Sequence, residues 1–182
     1  MSSAFRIEID LGDLGLDALT DGAEAAVRPA AQAGAQVLYE AVQSNVARIG
    51  RKTGNLAASI YQTFSRDNSG PLRAQYHVSW NRKKAPHGHL VEFGHIQRYV
   101  TFVDDQGVWR TAVRPEARGR KKPARKASRA VKDAYYVPLK GGPKLVGARP
   151  FVRPAASPQV MSKARAAMID RFFWELQQRG LV

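Results

Sequence analysis

Between Val27 and Ile49 the apolar residues return with the pitch of an α-helix. Val27, Ala31, Ala35, Leu38, Val42, Val46 and Ile49 are separated by steps of 4, 4, 3, 4, 4 and 3, so they line one face at about 3.6 residues per turn. Gln32, Gln36, Glu40 and Gln43 fall on the other side. A helix with one apolar stripe must bury it against a second layer, and that requirement constrains the fold more than any other feature of the chain. Pro29 fits early in this helix or at a kink just before it, and Gly50 supplies a stop.

Strand patterns provide the second layer. Phe5, Ile7, Ile9 and Leu11 alternate with Arg6, Glu8 and Asp10, which is period two, and Gly12 to Gly15 turns the chain. Thr53-Gly54-Asn55-Leu56 reads as a capped helical turn. Ile60 to Phe64 is rich in strand formers, Ser65 to Pro71 is dense in turn residues, and Leu72, Ala74, Tyr76, Val78 and Trp80 alternate again. Pro86 starts a short helix and Gly94 ends it. Tyr99 to Val103, the turn Asp104-Asp105-Gln106-Gly107 and Val108 to Val113 form another hairpin. Ala134 to Leu139 has strand composition, and Gly141-Gly142-Pro143 is a turn. A final helix begins with Ser157 as N-cap and Pro158 at the first helical position. It carries Met161, Ala164, Met168, Phe172 and Leu176 at helical spacing and closes at Gly180. Ile169, Phe173 and Trp174 widen its apolar surface beyond one stripe.

These elements predict an α+β fold: an antiparallel twisted sheet packed against a long N-terminal helix and a C-terminal helix. The 182 residues are enough for a single domain with a real core. The exception is 114–132, where nine Lys and Arg face Glu116 alone. That stretch holds few large apolar residues and two prolines, too little to offset its own ordering entropy. It reads as a basic, flexible insertion within one domain.

The charge of the whole chain, +14, attracts polyanions and acidic protein surfaces. With no cysteine, disulfides, zinc–thiolate sites and cysteine nucleophiles are excluded. The first residues lack the apolar core of a signal peptide, and no apolar run approaches the roughly 20 residues of a membrane span. The expectation is a soluble product made in the cytoplasm, with no membrane partner.

Signatures of catalytic chemistry are mostly absent from the sequence. Gly50-Arg51-Lys52-Thr53-Gly54 lacks the upstream glycine spacing of a phosphate-binding loop, and no Gly-x-Ser-x-Gly elbow occurs. Asp104-Asp105 reads as turn chemistry. His87, His89, Glu92 and His95 form one cluster to weigh, since His89, Glu92 and His95 follow at steps of three. The order does not match His-Glu-x-x-His, and the ordinary reading is a polar edge beside a buried Leu90-Val91-Phe93 surface. No metal, cofactor or catalytic residue is assigned. In the basic stretch, Arg118, Arg120, Lys121, Lys122, Arg125, Lys126 and Arg129 are the candidates for contact with DNA phosphates or an acidic partner. The absence of interleaved aromatics there argues against base stacking and leaves sequence-blind backbone contact.

Three strings carry a resemblance. Thr53-Gly54-Asn55-Leu56-Ala57-Ala58-Ser59-Ile60 resembles Thr-Gly-x-Leu-x-x-Ser-Ile. Ala85-Pro86-His87-Gly88-His89-Leu90-Val91-Glu92-Phe93-Gly94 resembles Ala-Pro-Tyr-Ala-x-x-Val-Glu-Phe-Gly. Ala148-Arg149-Pro150-Phe151-Val152-Arg153-Pro154-Ala155 resembles Ala-Arg-Pro-Phe-Leu-x-Pro-Ala. Their order, with a long helix before and a helix after, resembles the siphophage neck or tail-completion family, head–tail joining and minor tail components similar to the lambda minor tail protein Z. The resemblance covers about Asp10 to Gly180. It implies a small α+β virion subunit that assembles with copies of itself into a ring at the head–tail junction, beside connector, tail-terminator or tail-tube proteins, with DNA passing through. It implies no enzyme activity and no cofactor. The alternative is a sequence-nonspecific double-stranded DNA-binding accessory protein, and a third reading is a hydrolase acting through His87 to His95. Thr53, Gly54, Leu56, Ser59, Ile60, Pro86, Val91, Glu92, Phe93, Gly94, Arg149, Pro150, Phe151 and Pro154 are the motif residues, expected to maintain the fold, with Phe151 anchored in a pocket and Arg149 and Arg153 reaching carboxylates such as Glu92, or phosphates. His87-Gly88 departs from the family's Tyr-Ala, and the basic stretch looks longer than the family's connection.

Overall fold

The structure, a computed structural model, describes residues 5–7, 17–50 and 54–181. The elements in chain order begin with β1 (Phe5–Ile7), α1 (Asp17–Ile49), β2 (Ile60–Phe64), β3 (Tyr76–Trp80) and α2 (Gly88–Phe93). They continue with β4 (His95–Gln97), β5 (Thr101–Val103), β6 (Trp109–Thr111), α3 (Arg129–Tyr135), β7 (Lys144–Val146) and α4 (Pro158–Gln178). Long terminal helices and small antiparallel sheets make this the expected α+β class. The residues group into two compact units, one of Met1–Glu92 with Arg149–Val182 and the other of Phe93–Ala148.

In the first unit, β3 is the centre of an antiparallel sheet ordered β1-β3-β2, with Ile60 opposite Trp80 and Phe64 opposite Tyr76. The helical stripe is buried as its spacing requires: Val27, Ala31, Ala35, Leu38, Val42 and Val46 share one core with Val78, Trp80, Phe151, Val152 and Ala164. Small residues let α1 and α4 approach closely. A methyl group added at Gly34 would lie 2.5 Å from the Met168 side chain, so a glycine is needed there to seat α4. Arg28 stacks over the Phe64 ring at 4.5 Å, and Phe64 meets Tyr76 at 5.4 Å.

Several expectations shift. Pro29 lies inside α1, which already runs from Asp17. An interior proline costs about 3 kcal/mol, offset here by the burial of Ala26, Val27, Ala30 and Ala31 on both sides of it. Of the first predicted strand, Phe5–Ile7 pairs with β3, whereas residues 8–11, the Gly12–Gly15 turn and Thr53 lie outside the described residues. The strand expected from Leu72 is regular only from Tyr76, because Leu72 sits at φ +42° in a turn closed by Gly70 and Arg73. Ser157 stands at the N-cap, but its side chain makes no cap hydrogen bond; its backbone carbonyl accepts from Met161 instead. At the other end Gly180 (φ +67°) closes α4, with Gly180 N–H donating to Gln177 and Leu181 N–H to Leu176, the reciprocal pair of a glycine helix stop.

The second unit holds two separate two-stranded sheets, β4–β7 and β5–β6. The predicted hairpin is present: the Asp104 carboxylate accepts from Gln106 and Val108 backbone amides and from Arg110 Nε, and Gly107 takes φ +74°. Ala134 and Tyr135 are helical, not extended. Ser128 starts that helix by accepting from Val131 N–H at 3.4 Å. Strand-like pairing after it is limited to bridges at Tyr136 and Pro138, since proline has no N–H to extend a ladder.

Candidate functional site

Two of the three motif strings, 85–94 and 148–155, meet at one side chain, Glu92. It lies on α2, a helix of six residues, yet its side chain is wholly buried. A buried carboxylate needs donors to replace water, and the segment after residue 150 brings four. Phe151 and Val152 backbone N–H groups donate to Oε2 at 2.7 and 3.0 Å. The Arg153 backbone N–H and its Nε donate to Oε1 at 3.1 and 3.0 Å. Arg153 Nη2 also donates to the Glu92 carbonyl at 2.6 Å. Burial alone would raise the Glu92 pKa; the three backbone donors and the guanidinium outweigh it and hold the carboxyl below its usual range.

The same segment is held from other sides. Phe151 is fully buried, and its ring meets Trp80 edge-on at 5.4 Å. Asn45 Nδ2 donates to the Phe151 carbonyl at 3.0 Å, tying it to α1. The Arg149 backbone N–H donates to the Val91 carbonyl at 2.8 Å. Pro150 and Pro154 restrict the backbone on either side, which favours three successive N–H groups facing one acceptor. Together these contacts fasten α2 and the start of the 150s segment to α1 and β3.

The other motif residues of the first unit are placed as follows. Gly54 adopts φ +80° and begins the turn that leads into Ala57–Ser59. Leu56 packs against the core. Ser59 is buried, its hydroxyl donating to the Leu56 carbonyl at 2.7 Å and its own carbonyl accepting from Asn81. Ile60 is buried and Val91 packs against the core, whereas Pro86 and Pro154 are exposed. In the second unit, Gly94 adopts φ +73°, and an added methyl group would come within 2.8 Å of the Val146 carbonyl oxygen.

Two expectations invert. Glu92, placed on a polar edge by its composition, is the buried residue, and Phe93, placed in a buried surface, is 52% exposed. The reason is the donor set: four hydrogen bonds make the carboxylate easier to bury than the ring. Arg153 reaches Glu92 as expected. Arg149 does not share that role; its exposed side chain borders an open cleft with Asn45, Arg48, Ile49, Pro150 and Pro154. The His89–Glu92–His95 spacing makes no metal site, because the Glu92 oxygens already serve Phe151, Val152 and Arg153. Among the described residues no group of three or more His, Asp or Glu is placed to hold a metal ion.

The departure at Gly88 has a physical cause. Gly88 is buried under the Trp80 indole, and a methyl group there would collide with Nε1. Sequence reasoning missed this because nothing local links residues 80 and 88.

The basic stretch belongs to the second unit. Arg118, Arg120, Lys121, Lys122, Arg125, Lys126 and Arg129 are all exposed. Other cations of the stretch serve the backbone: Arg114 Nε donates to the carbonyls of Asp133 and Tyr136, and Lys132 Nζ to that of Arg125. Tyr99, Tyr135 and Tyr136 stack beside it, with Tyr99 Oη donating to Asp133 at 2.7 Å.

No described helix is long and apolar enough to cross a membrane. No curated protein and no solved structure gives a significant match to the chain. Residues 14–94 match a family model described as "Bacteriophage HK97-gp10, putative tail-component". That stretch contains the first two of the three motif strings and ends where the second unit begins. The resemblance read from the sequence is thus supported over residues 14–94, where the chain is similar to the HK97-gp10-like phage tail components.

Proposed function

We propose that this chain is a structural, non-enzymatic subunit of a tailed-phage virion, one that forms a ring at the head–tail junction through which double-stranded DNA passes. The observation that carries the reading is the match of residues 14–94 to a phage tail-component family. The use of Glu92 supports it. The side chain best placed for acid–base work is sealed inside and used as a fastener. The outer surface of α4 supports assembly, because Met161, Ile169, Phe173 and Trp174 are exposed there, and exposed apolar patches mark contacts. Its neighbours are copies of itself and the connector, tail-terminator or tail-tube proteins, and its location is the virion.

Electron micrographs of particles from a phage lacking this gene test the reading. Separate filled heads and finished tails are expected. Intact infectious particles made without the gene would overturn it. The accessory DNA-binding alternative rests on the exposed cations of the basic stretch. It requires tight duplex binding by the isolated chain, weakening with salt at a log–log slope near −0.9 per phosphate neutralised.

A further inference from the structure

The Phe93–Ala148 unit combines strong positive charge with exposed apolar side chains. It carries thirteen Lys and Arg against four Asp and Glu. It also buries almost nothing: among its described residues the only buried hydrophobic side chain is Ala117. Cross-strand partners Ile96 and Leu145 are 55% and 75% exposed, and partners Val103 and Trp109 are 39% and 37% exposed. Two-stranded sheets with uncovered apolar pairs are marginal by themselves, so this surface calls for a cover.

Charge and polarity narrow what the cover is. Duplex DNA matches the cations but has no use for Ile96, Leu145 and Trp109, since protein–DNA interfaces are more polar than protein–protein ones. The same unit of another copy is repelled by like charge. The cover must be a protein segment that is both acidic and apolar, and one stretch of this sequence has that composition. Residues 8–24 hold Glu8, Asp10, Asp13, Asp17, Asp21 and Glu24 with no Lys or Arg, interspersed with Ile9, Leu11, Leu14, Leu16 and Leu19. Asp17, Asp21 and Glu24 open α1 at steps of 4 and 3, which places them on one helix face. Asp21 and Glu24 are exposed.

We propose that the basic, apolar surface of the 93–148 unit docks onto the acidic 8–24 stretch of a second copy of this chain. Because seat and plug are different parts of the sequence, the contact is head-to-tail and repeats into a closed ring or an open helix. The inference rests on the ring reading above and names the surfaces that build it.

Full-length chains with reversed charge test the contact. One variant carries Lys121→Glu, Lys122→Glu, Arg125→Glu and Lys126→Glu; the other carries Asp17→Lys, Asp21→Lys and Glu24→Lys. None of the substituted residues takes part in the Glu92 hydrogen bonds, and circular dichroism verifies that each variant is folded. Sedimentation velocity and native mass spectrometry read assembly. The unaltered chain is expected to form oligomers. Each variant alone is expected to associate at least about tenfold more weakly, and an equimolar mixture is expected to recover assembly with the two variants alternating. A mixture that stays monomeric, as pairing of the two segments within one chain would give, overturns the proposal. So does a monomeric unaltered chain, including one that instead captures duplex DNA through the same cations. Oligomers that ignore both reversals remove this contact while leaving the ring reading intact. Joined heads and tails made without the gene would remove the ring reading itself.

Discussion

Replacing Glu92 by alanine strips the acceptor from the buried backbone donors of Phe151 and Val152. Phe151 and Val152 are buried, so their N–H groups would face no water. Each buried unsatisfied donor costs about 1–3 kcal/mol, and breaking a buried charged pair from one side costs about 3–5 kcal/mol in all. The Arg153 side chain is 53% exposed, so its share is screened and the loss comes mainly from the backbone amides. We expect Glu92→Ala to lower stability by about 4 kcal/mol, within the range set by those amides. For a chain of this size that is a fall in Tm of roughly 10 °C. Glu92→Gln keeps the volume and one acceptor but turns an NH₂ group toward the donors; it should cost about half as much. Thermal and urea unfolding followed by circular dichroism measure both. Hydrogen exchange should show early loss of protection at Phe151 and Val152. The reasoning fails if Glu92→Ala unfolds within about 1 kcal/mol of the unaltered chain, or if the glutamine variant is the weaker of the two.

The pH response follows from the same carboxylate. Its folded pKa lies below its ordinary value, so its contribution is fully present above the usual glutamate range and is lost as pH falls through the folded pKa. Stability titrations should therefore show the gap between the unaltered chain and Glu92→Gln constant near neutrality and shrinking in acid. Gly88→Ala forces a methyl group into the Trp80 indole and should cost about 1–3 kcal/mol in urea unfolding, with a shifted tryptophan emission. Gly94→Ala combines positive φ with a close Val146 carbonyl; a loss of about 1–3 kcal/mol should appear as faster hydrogen exchange along β4 and β7. Ser157→Ala should change Tm by less than the width of error, because the hydroxyl makes no cap hydrogen bond; a loss near 1 kcal/mol would show that the side chain caps after all.

Periodic features were legible in the sequence. The α1 stripe, the β2 strand, the Asp104–Gly107 hairpin turn and the stop at Gly180 each follow from residues within a few positions of one another, and local rules suffice for them. The site was legible as strings but not as chemistry. Nothing near Glu92 announces that its donors lie 59 to 61 residues later, so its charge suggested an exposed edge. Conversely Phe93 looked like core because it is aromatic, although the short α2 gives the inward position to its neighbour. The start of α1 was misjudged around Pro29 because a proline marks a boundary unless packing on both sides outweighs its cost. Pairing of β4 with β7 joins residues about fifty apart, beyond the reach of any periodicity.

The chain leaves the first unit at Glu92 and re-enters it at Arg149, and the two crossing points are hydrogen-bonded, Arg149 N–H to Val91 carbonyl at 2.8 Å. Exit and return thus share one doorway, locked by the Glu92 oxygens. Whatever is threaded between them changes only a closed loop, and doubling the length of such a loop costs about 0.6 kcal/mol. The scaffold is accordingly indifferent to the size of its passenger: a short linker or an unrelated fold spliced between residues 94 and 148 should leave α1, β3 and α4 assembled as before.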